Sequence, residues 1–506
     1  MRRFSSWFSF WLSFSLSLTL TACRETPDHL LSYGQEDDFN FSEAKESFEG
    51  KFKIFWEGMN CNYAIWDYEA ANGTDWDAVY DDYLPKFQAL DEREDSVSDD
   101  ELRSLLEEVV APLHDGHLYV QMQNHMTGHF VSVSPGLMRV QSRLDYERSK
   151  GFVPNLDVSE LKEYDECDTN FATYYARVDT AFAVSERGRL LALTSPTEHQ
   201  EFLCKRFGEF LEDYLTIPAT ANPVEAFNEL CLRYEFLQIP GLKAFDPRVA
   251  DFGLTMKYAL TKDHIAYLYV SRFCLTPWLS QPIFSELLHE TSDDVLQMRK
   301  DVCRVWVRWY DKVQELHNSG QLRGVVVDVR SNGGGMINDF QYVLGALLPA
   351  QGFVVADARF KRGVGRYDYS ALIPQQMATL LADREVITEP VVVLGNCCSA
   401  SLSETTCLAA KLMENGRLVG TRTWGALCML MSTPSSYSIS YASSIGVKDV
   451  TPVFCYIPMM AMIPRETGIL EGIGITPDME VQLDETLLQQ GRDSQLECAF
   501  EYCRNH

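Results

Sequence analysis

The residues best suited to chemistry lie far apart in this chain. Ser401 stands in PVVVLGNCCSASLSETTCLAAKLMENGRLVG, residues 390–420. The valine run from Pro390 to Leu394 reads as a strand buried on both faces, and Thr405 to Met413 has helical composition ended by Asn415-Gly416. A serine in the polar turn between them sits at a helix N-terminus, where free N–H groups and the positive end of the dipole face outward. That environment stabilises the negative charge that develops in acyl transfer, so Ser401 is read as a nucleophile. The simpler alternative is that Ser399, Ser401 and Ser403 only cap the helix. A serine hydroxyl is a poor nucleophile until a base takes its proton. His117, in the Asp115-Gly116-His117 stretch, lies between a helix and the strand-like LYVQM, where a polar side chain can face a cleft. A histidine's ordinary pKa lies near the pH at which such a base must work. His114 competes from three residues earlier, and either histidine could simply satisfy backbone at the helix end.

The elements that must hold these residues follow from periodicity. Phe48, Phe52, Phe55, Trp56 and Met59 recur at helical spacing, Asp75-Trp76-Asp77 opens a second helix through Phe87, and Asp99 to Val110 forms a third. His264 to Phe273 reads as a strand. A long helix follows, from about Ser292 to Leu316, with an apolar stripe through Val295, Met298, Val302, Trp306, Trp309 and Val313. Gly324 to Val329 is a buried strand that runs into Gly333-Gly334-Gly335, and a helix is expected from about Ile337 to Leu348. Glycines let a backbone approach a ligand and aim its N–H groups. No lysine paired with serine or threonine follows them, which argues against a nucleotide loop. Phe353 to Ala358 and Pro390 to Leu394 add strands. Strand–helix alternation predicts a parallel-cored α/β domain whose ligands gather at the carboxyl ends of the strands. Tyr437 to Tyr441 and Val450 to Ile457 read as strands, and Glu485 to about Cys503 as a helix.

Composition narrows the function. The 506 residues suffice for two to four domains, and a net charge of -28 argues against nucleic-acid binding. The 14 cysteines form no CxxC pairs of zinc-ribbon type, so neither a metal nor another cofactor is expected. Arg2 and Arg3 precede an apolar run from Trp7 to Leu20, too short to span a membrane and suited to export. Its ending, Leu20-Thr21-Ala22-Cys23, resembles a bacterial lipobox, which implies cleavage before Cys23 and lipid attachment there. The expected organisation is a signal peptide over 1–22, an acidic tether over 23–47 and a helical domain over 48–118. A middle α+β domain over 119–261, a catalytic α/β domain over 262–482 and a C-terminal helix over 483–506 complete it. Within the middle region, Phe130 to Val140 and Thr173 to Leu193 look strand-like, and Glu198 to Tyr214 and Val224 to Tyr234 look helical.

Four pieces stand in order: DGH at 115–117, VVVDVRSNGGG at 325–335, SASLSE at 399–404 and LEGIGITPD at 470–478. Together they resemble the serine peptidases of the carboxyl-terminal processing and tricorn-core family, S41. The resemblance covers most of 48–118 and 262–482 but not 119–261, so a PDZ-like module there is left open. It implies a ClpP/crotonase-like fold for the catalytic domain. The processing branch places its lysine base after a T-F-G triplet; here Thr423-Trp424-Gly425 is followed by Ala426, so that dyad is excluded. The tricorn-like branch implies Ser401 as nucleophile, His117 as base and Glu471 as the acid that orients the imidazole, with Glu466 and Asp478 as competing acids close in sequence and Asp478 read as closing the turn. Its serine before the histidine is replaced by Gly116. The oxyanion is expected on the N–H of Leu402 and one from Gly334 or Gly335. The implied function is a serine endopeptidase acting on exported polypeptides or peptides, lipid-anchored in the bacterial cell envelope. A ligand-binding protein on the same fold is the alternative.

Overall fold

The computed structural model describes residues 41–93, 96–149, 234–239, 254–287, 293–348, 352–362, 365–378, 384–430, 444–484 and 493–506. The expected signal peptide with Cys23, the tether up to residue 40, and the elements expected over 173–193, 198–214 and 437–441 lie outside them.

A seven-stranded sheet carries the larger core. Its order is β14 (Met479–Glu480), β10 (Gly416–Gly420), β9 (Val391–Gly395), β6 (Gly324–Asp328), β5 (Ile265–Val270), β4 (Leu254–Leu260) and β3 (Tyr234–Ile239). The pairs from β14 to β5 are parallel, and β4 and β3 add antiparallel. Strands β6 (GVVVD) and β9 (VVVLG) are buried at every position, as expected for strands covered on both faces. The long helix α6 (Asp293–Asn318) packs its stripe of Val295, Val302, Val305, Trp306, Trp309 and Val313 into that core.

The expected helix over 337–348 is instead two 3₁₀ segments, Ile337–Tyr342 and Gly345–Leu347. The Asp339 carboxylate turns away to accept the N–H groups of Leu275 and Thr276, the latter at 2.7 Å. A side chain that serves backbone elsewhere favours a tight turn over a continued helix.

The second core joins N-terminal helices to strands from further along the chain. Helices α1 (Phe48–Asn62), α2 (Trp66–Ala71), α3 (Trp76–Asp91) and α4 (Asp99–Val110) lead into β1 (Tyr119–Gln123) and β2 (Phe130–Val133). Strand β1 pairs with β12 (Val453–Tyr456), and β11 (Ser444–Ile445) completes that antiparallel sheet, while β7 (Phe353–Phe360), β8 (Ile373–Met377) and β13 (Met460–Ile463) form a separate antiparallel sheet. Phe52, Phe55, Trp66, Val120 and Met122 therefore share one apolar cluster with Cys428, Val453, Cys455 and Ala461. The stretch expected to be strand-like through Val140 turns into helix α5 (Pro135–Ser149) after Val133. Strands β3 and β4, within the expected middle region, join the large sheet, and Tyr234, expected at a helix end, begins β3.

The C-terminal helix Ser494–Asn505 is pinned beneath the sheet. Buried Arg330 holds Asp328 with two nitrogens at 2.9 and 2.7 Å, and reaches Asp493 at 3.0 Å and Gln495 at 2.8 Å. All of these side chains are removed from water, where a charge is tolerated only when paired. The network ties the chain end to the strand that feeds the glycine turn.

Candidate active site

Ser401 occupies the N-cap position of helix α7 (Leu402–Leu412), just beyond the carboxyl end of β9, with φ 57° and ψ −122°. A non-glycine residue there is strained by about 1–3 kcal/mol, which the surroundings must offset. Its hydroxyl makes no capping bond, so helix capping does not account for it. Ser399 is used differently: its Oγ donates to the Val329 carbonyl at 2.8 Å and accepts the Asn396 N–H at 3.0 Å. Ser403 Oγ is buried without a partner. Ser401 is thus the serine of the three whose hydroxyl is neither spent on the turn nor sealed inside the helix.

Two segments hold this strained turn. The Ala400 N–H donates to Asn332 O at 3.1 Å, and the Ser401 N–H donates to Ala426 O at 3.1 Å. Gly334, at φ 95°, lies so close that an added Cβ would stand 2.5 Å from Ser401 Cβ and 3.0 Å from the Leu402 nitrogen. The glycine turn thus lies directly against the nucleophile candidate, as a backbone oxyanion site requires. Of the expected donors, Gly334 is already committed, because its N–H reaches Asn332 Oδ1 at 2.9 Å. The N–H groups of Leu402 and Gly335 have no acceptor among the described residues. They are the two expected donors left unengaged.

The 423–426 turn is fixed by a buried acid. Glu404 accepts the Thr423 hydroxyl at 2.6 Å and the N–H groups of Gly425 and Ala426 at 2.8 and 2.6 Å. Burial pushes its pKa up, while those three bonds favour the charged form. Arg143 of α5 donates to the carbonyls of Arg422, Thr423 and Trp424 from outside. Ala426 itself is buried and supplies the carbonyl that holds Ser401, so no lysine reaches the site from this position.

The same turn carries the histidine loop. An added Cβ on Gly116 would stand 2.2 Å from Gly425 O and 2.5 Å from Ala426 Cβ, and Trp424 Nε1 donates to Gly116 O at 3.1 Å. This packing explains why glycine, and not serine, precedes His117. His117 is held by its main chain, since Asp115 Oδ1 accepts the N–H groups of His117 and Leu118 at 2.7 and 2.8 Å. Its Nδ1 is buried without a partner, and burial pushes its pKa down to about 4.

Glu471 reaches this loop through backbone and not through the ring. Its Oε2 accepts the Gly116 N–H at 3.0 Å, and its Oε1 accepts the N–H of Cys428. No hydrogen bond joins the Ser401 hydroxyl, the His117 ring and the Glu471 carboxylate among the described residues. His114, the competing candidate, pairs its Nδ1 with buried Glu69 at 2.7 Å, while Glu69 also accepts the Tyr63 hydroxyl at 2.7 Å.

Among the described residues, one group of acidic and cysteine side chains converges: Asp115, Cys428 and Glu471. Amide protons occupy both Glu471 oxygens and one Asp115 oxygen. The group is therefore a hydrogen-bonded cradle for the histidine loop. Sequence reasoning gave no role to Asp115, Asn332, Arg143 or Glu404. Asp115 and Glu404 stand inside motifs that were legible, and Asn332 directly precedes the glycine triplet. Arg143 carries no local signal, since its carbonyl partners lie some 280 residues away.

Residues 296–481 match the profile of Peptidase family S41. Among solved structures, mature CPAF complexed with lactacystin is similar at 12% identity and TM-score 0.47, over 92% of this chain and 98% of that one. A crystal structure from Parabacteroides merdae is similar at 17% identity and TM-score 0.46, over 90% and 96%. The photosystem II D1 C-terminal processing protease matches at 16% identity and TM-score 0.28, over 54% and 52%. No curated protein matches the chain.

Proposed function

We propose that this chain, a serine peptidase of family S41 through residues 296–481, hydrolyses polypeptides with Ser401 as nucleophile, His117 as base and Glu471 as the acid that fixes the base. The observation that carries this reading is the placement of Ser401. It is a strained, uncapped N-cap serine, followed by the unengaged N–H of Leu402, packed against Gly334 of the glycine turn and held by Ala426, onto which the histidine loop packs.

In this reading Ser401 Oγ attacks the scissile carbonyl as His117 removes its proton. The carbonyl oxygen becomes an oxyanion, received by the N–H groups of Leu402 and Gly335. Each such donor is worth about 3 kcal/mol of barrier. His117 then gives the proton to the leaving amine, and the acyl group stays on Ser401. Water, deprotonated by His117, attacks the ester, and Ser401 leaves with the proton returned. Burial keeps the imidazole neutral and able to accept a proton at ordinary pH. Glu471 supports it through the main chain, with the Gly116 N–H as the link. In apo enzymes catalytic hydrogen bonds are often long and tighten only with substrate.

The substrates proposed are exported polypeptides or peptides, with the chain tethered to the bacterial envelope through lipidated Cys23. Hydrolysis of an unfolded casein probe by the purified chain tests the activity. Cleavage that Ser401→Ala and His117→Ala both remove supports it, and cleavage that survives Ser401→Ala overturns it. Radiolabelled palmitate incorporation that Cys23→Ser abolishes would support the anchor, and incorporation unaffected by that change would overturn it.

A further inference from the structure

Glu471 does not stand alone behind the histidine loop. Asp115, Cys428 and Glu471 bring a carboxylate oxygen, a thiol sulfur and a second carboxylate oxygen within 4.8 Å of one another, and all three residues are fully buried. Together the two carboxylates hold three successive amides: Gly116 on Glu471, and His117 and Leu118 on Asp115 Oδ1. Asp115 Oδ2 has no hydrogen-bond partner.

The ionisable groups facing the pair offer little compensation. From the end of α1 and from α2 come Tyr63, Tyr68 and Glu69, with Tyr68 donating to the Glu471 carbonyl. Glu404 adds a further negative charge from α7, and the Cys428 thiol is pushed well up by burial and by Glu471. His114 is engaged with Glu69, and the His117 ring is kept neutral by burial. Arg139 acts on Tyr68 but spends its guanidinium on the carbonyls of Leu113 and Ala111. Two carboxylates so close and so dry do not both ionise at modest pH.

We infer that Asp115 is a positioning residue for His117, and that Asp115 and Glu471 share a single proton while holding the three amides of the histidine loop. The positioning half rests on the reading of His117 as the base; the shared proton does not. Burial pushes Asp115 up to about 7 against the pull of its two amide bonds. Burial, and then Asp115 itself, push Glu471 well up.

A carboxyl whose folded pKa is raised stabilises the fold fully below its unfolded value, and that stability is lost as pH rises through the folded value. For Asp115 the loss runs from 3.8 to about 7 and then levels off. The test is the thermal midpoint of the purified full chain across about pH 4.5 to 8.5, for wild type, Asp115→Asn, Glu471→Gln and the double variant. Asp115→Asn keeps an oxygen for the two amides but cannot titrate. Its midpoint rises relative to wild type up to about pH 7 and then stays level, and the midpoint of Glu471→Gln likewise rises relative to wild type as pH increases. The double variant gains no more than either single one, because a coupled proton belongs to the pair. A wild type that runs parallel to Asp115→Asn at every pH, or two gains that add, overturns the shared proton.

Labelling of Ser401 by a fluorophosphonate tests the positioning. Asp115→Ala slows it about tenfold or more, since two charge-assisted amide bonds are lost, and Asp115→Asn recovers most of the rate. Equal slowing in both variants overturns the positioning role. An unlabelled wild type overturns that role together with the proposed nucleophile, while the thermal comparison still decides the shared proton.

Discussion

Gly116→Ala is the substitution that most directly loads the joint between base and nucleophile. Its added carbon would stand 2.2 Å from Gly425 O, 2.5 Å from Ala426 Cβ and 2.7 Å from Ala426 Cα, where ordinary contact begins at 3.4 Å. Two of these neighbours are main-chain atoms that cannot rotate away. The histidine loop and the 425–426 turn must therefore separate by about 1 Å. Overpacking of this kind costs about 1–3 kcal/mol of stability. The larger effect falls on chemistry, because the Ala426 carbonyl holds the Ser401 N–H while His117 follows Gly116 directly. A displacement of about 1 Å between reacting groups costs about a hundredfold in rate. The assay is the second-order rate of fluorophosphonate labelling, with a denaturant midpoint on the same sample. We expect the rate to fall far more than the stability loss alone would give. A Gly116→Ala chain that labels at the wild-type rate would refute the claim that this contact sets the base against the nucleophile.

Three further outcomes follow from the same geometry. Glu404→Gln keeps the shape but turns an amide NH₂ toward the donors of the 423–426 turn, so it costs about 2–4 kcal/mol in urea unfolding and slows labelling; an unchanged midpoint would count against that acid's role. Asp493→Ala removes one partner of buried Arg330 and costs about 3–5 kcal/mol, read as a lower urea midpoint, and a loss below about 1 kcal/mol would show that the helix end needs no such anchor. Burial lowers His117 from 6.5 to about 4, so the imidazole stays neutral well into the acid range and is protonated only as pH falls toward 4. Labelling should then hold its rate down to about pH 5, and an acid limb near 6.5 would contradict the lowered pKa of this base.

Much of the catalytic layer was legible because local and global signals agree there. The valine runs of β6 and β9 could only be strands buried on both faces, and the glycine triplet and Ser401 fall beyond their carboxyl ends. The long helix was equally plain, since its tryptophan and valine stripe has a single period. The failures have physical causes. Residues 337–348 have helical composition, but the Asp339 side chain takes two amides of another segment and the chain tightens into 3₁₀ turns. Strand β1 finds its partner in β12, more than 300 residues on, and no local pattern encodes that pairing. In the site, residue type alone could not separate Gly334 from Gly335; the Asn332 side chain does so by taking the Gly334 amide. Glu471 came only from the family resemblance, and its contact with the Gly116 main chain depends on how the two loops meet.

The central claim is that Ser401 is an activated nucleophile and His117 its base. The most direct test is fluorophosphonate labelling of the purified chain, with the modified peptide mapped by mass spectrometry, beside Ser401→Ala, His117→Ala and His114→Ala. The account predicts the adduct on Ser401, its loss in Ser401→Ala and His117→Ala, and its persistence in His114→Ala. An adduct on another serine, or labelling that survives His117→Ala and disappears in His114→Ala, would contradict it.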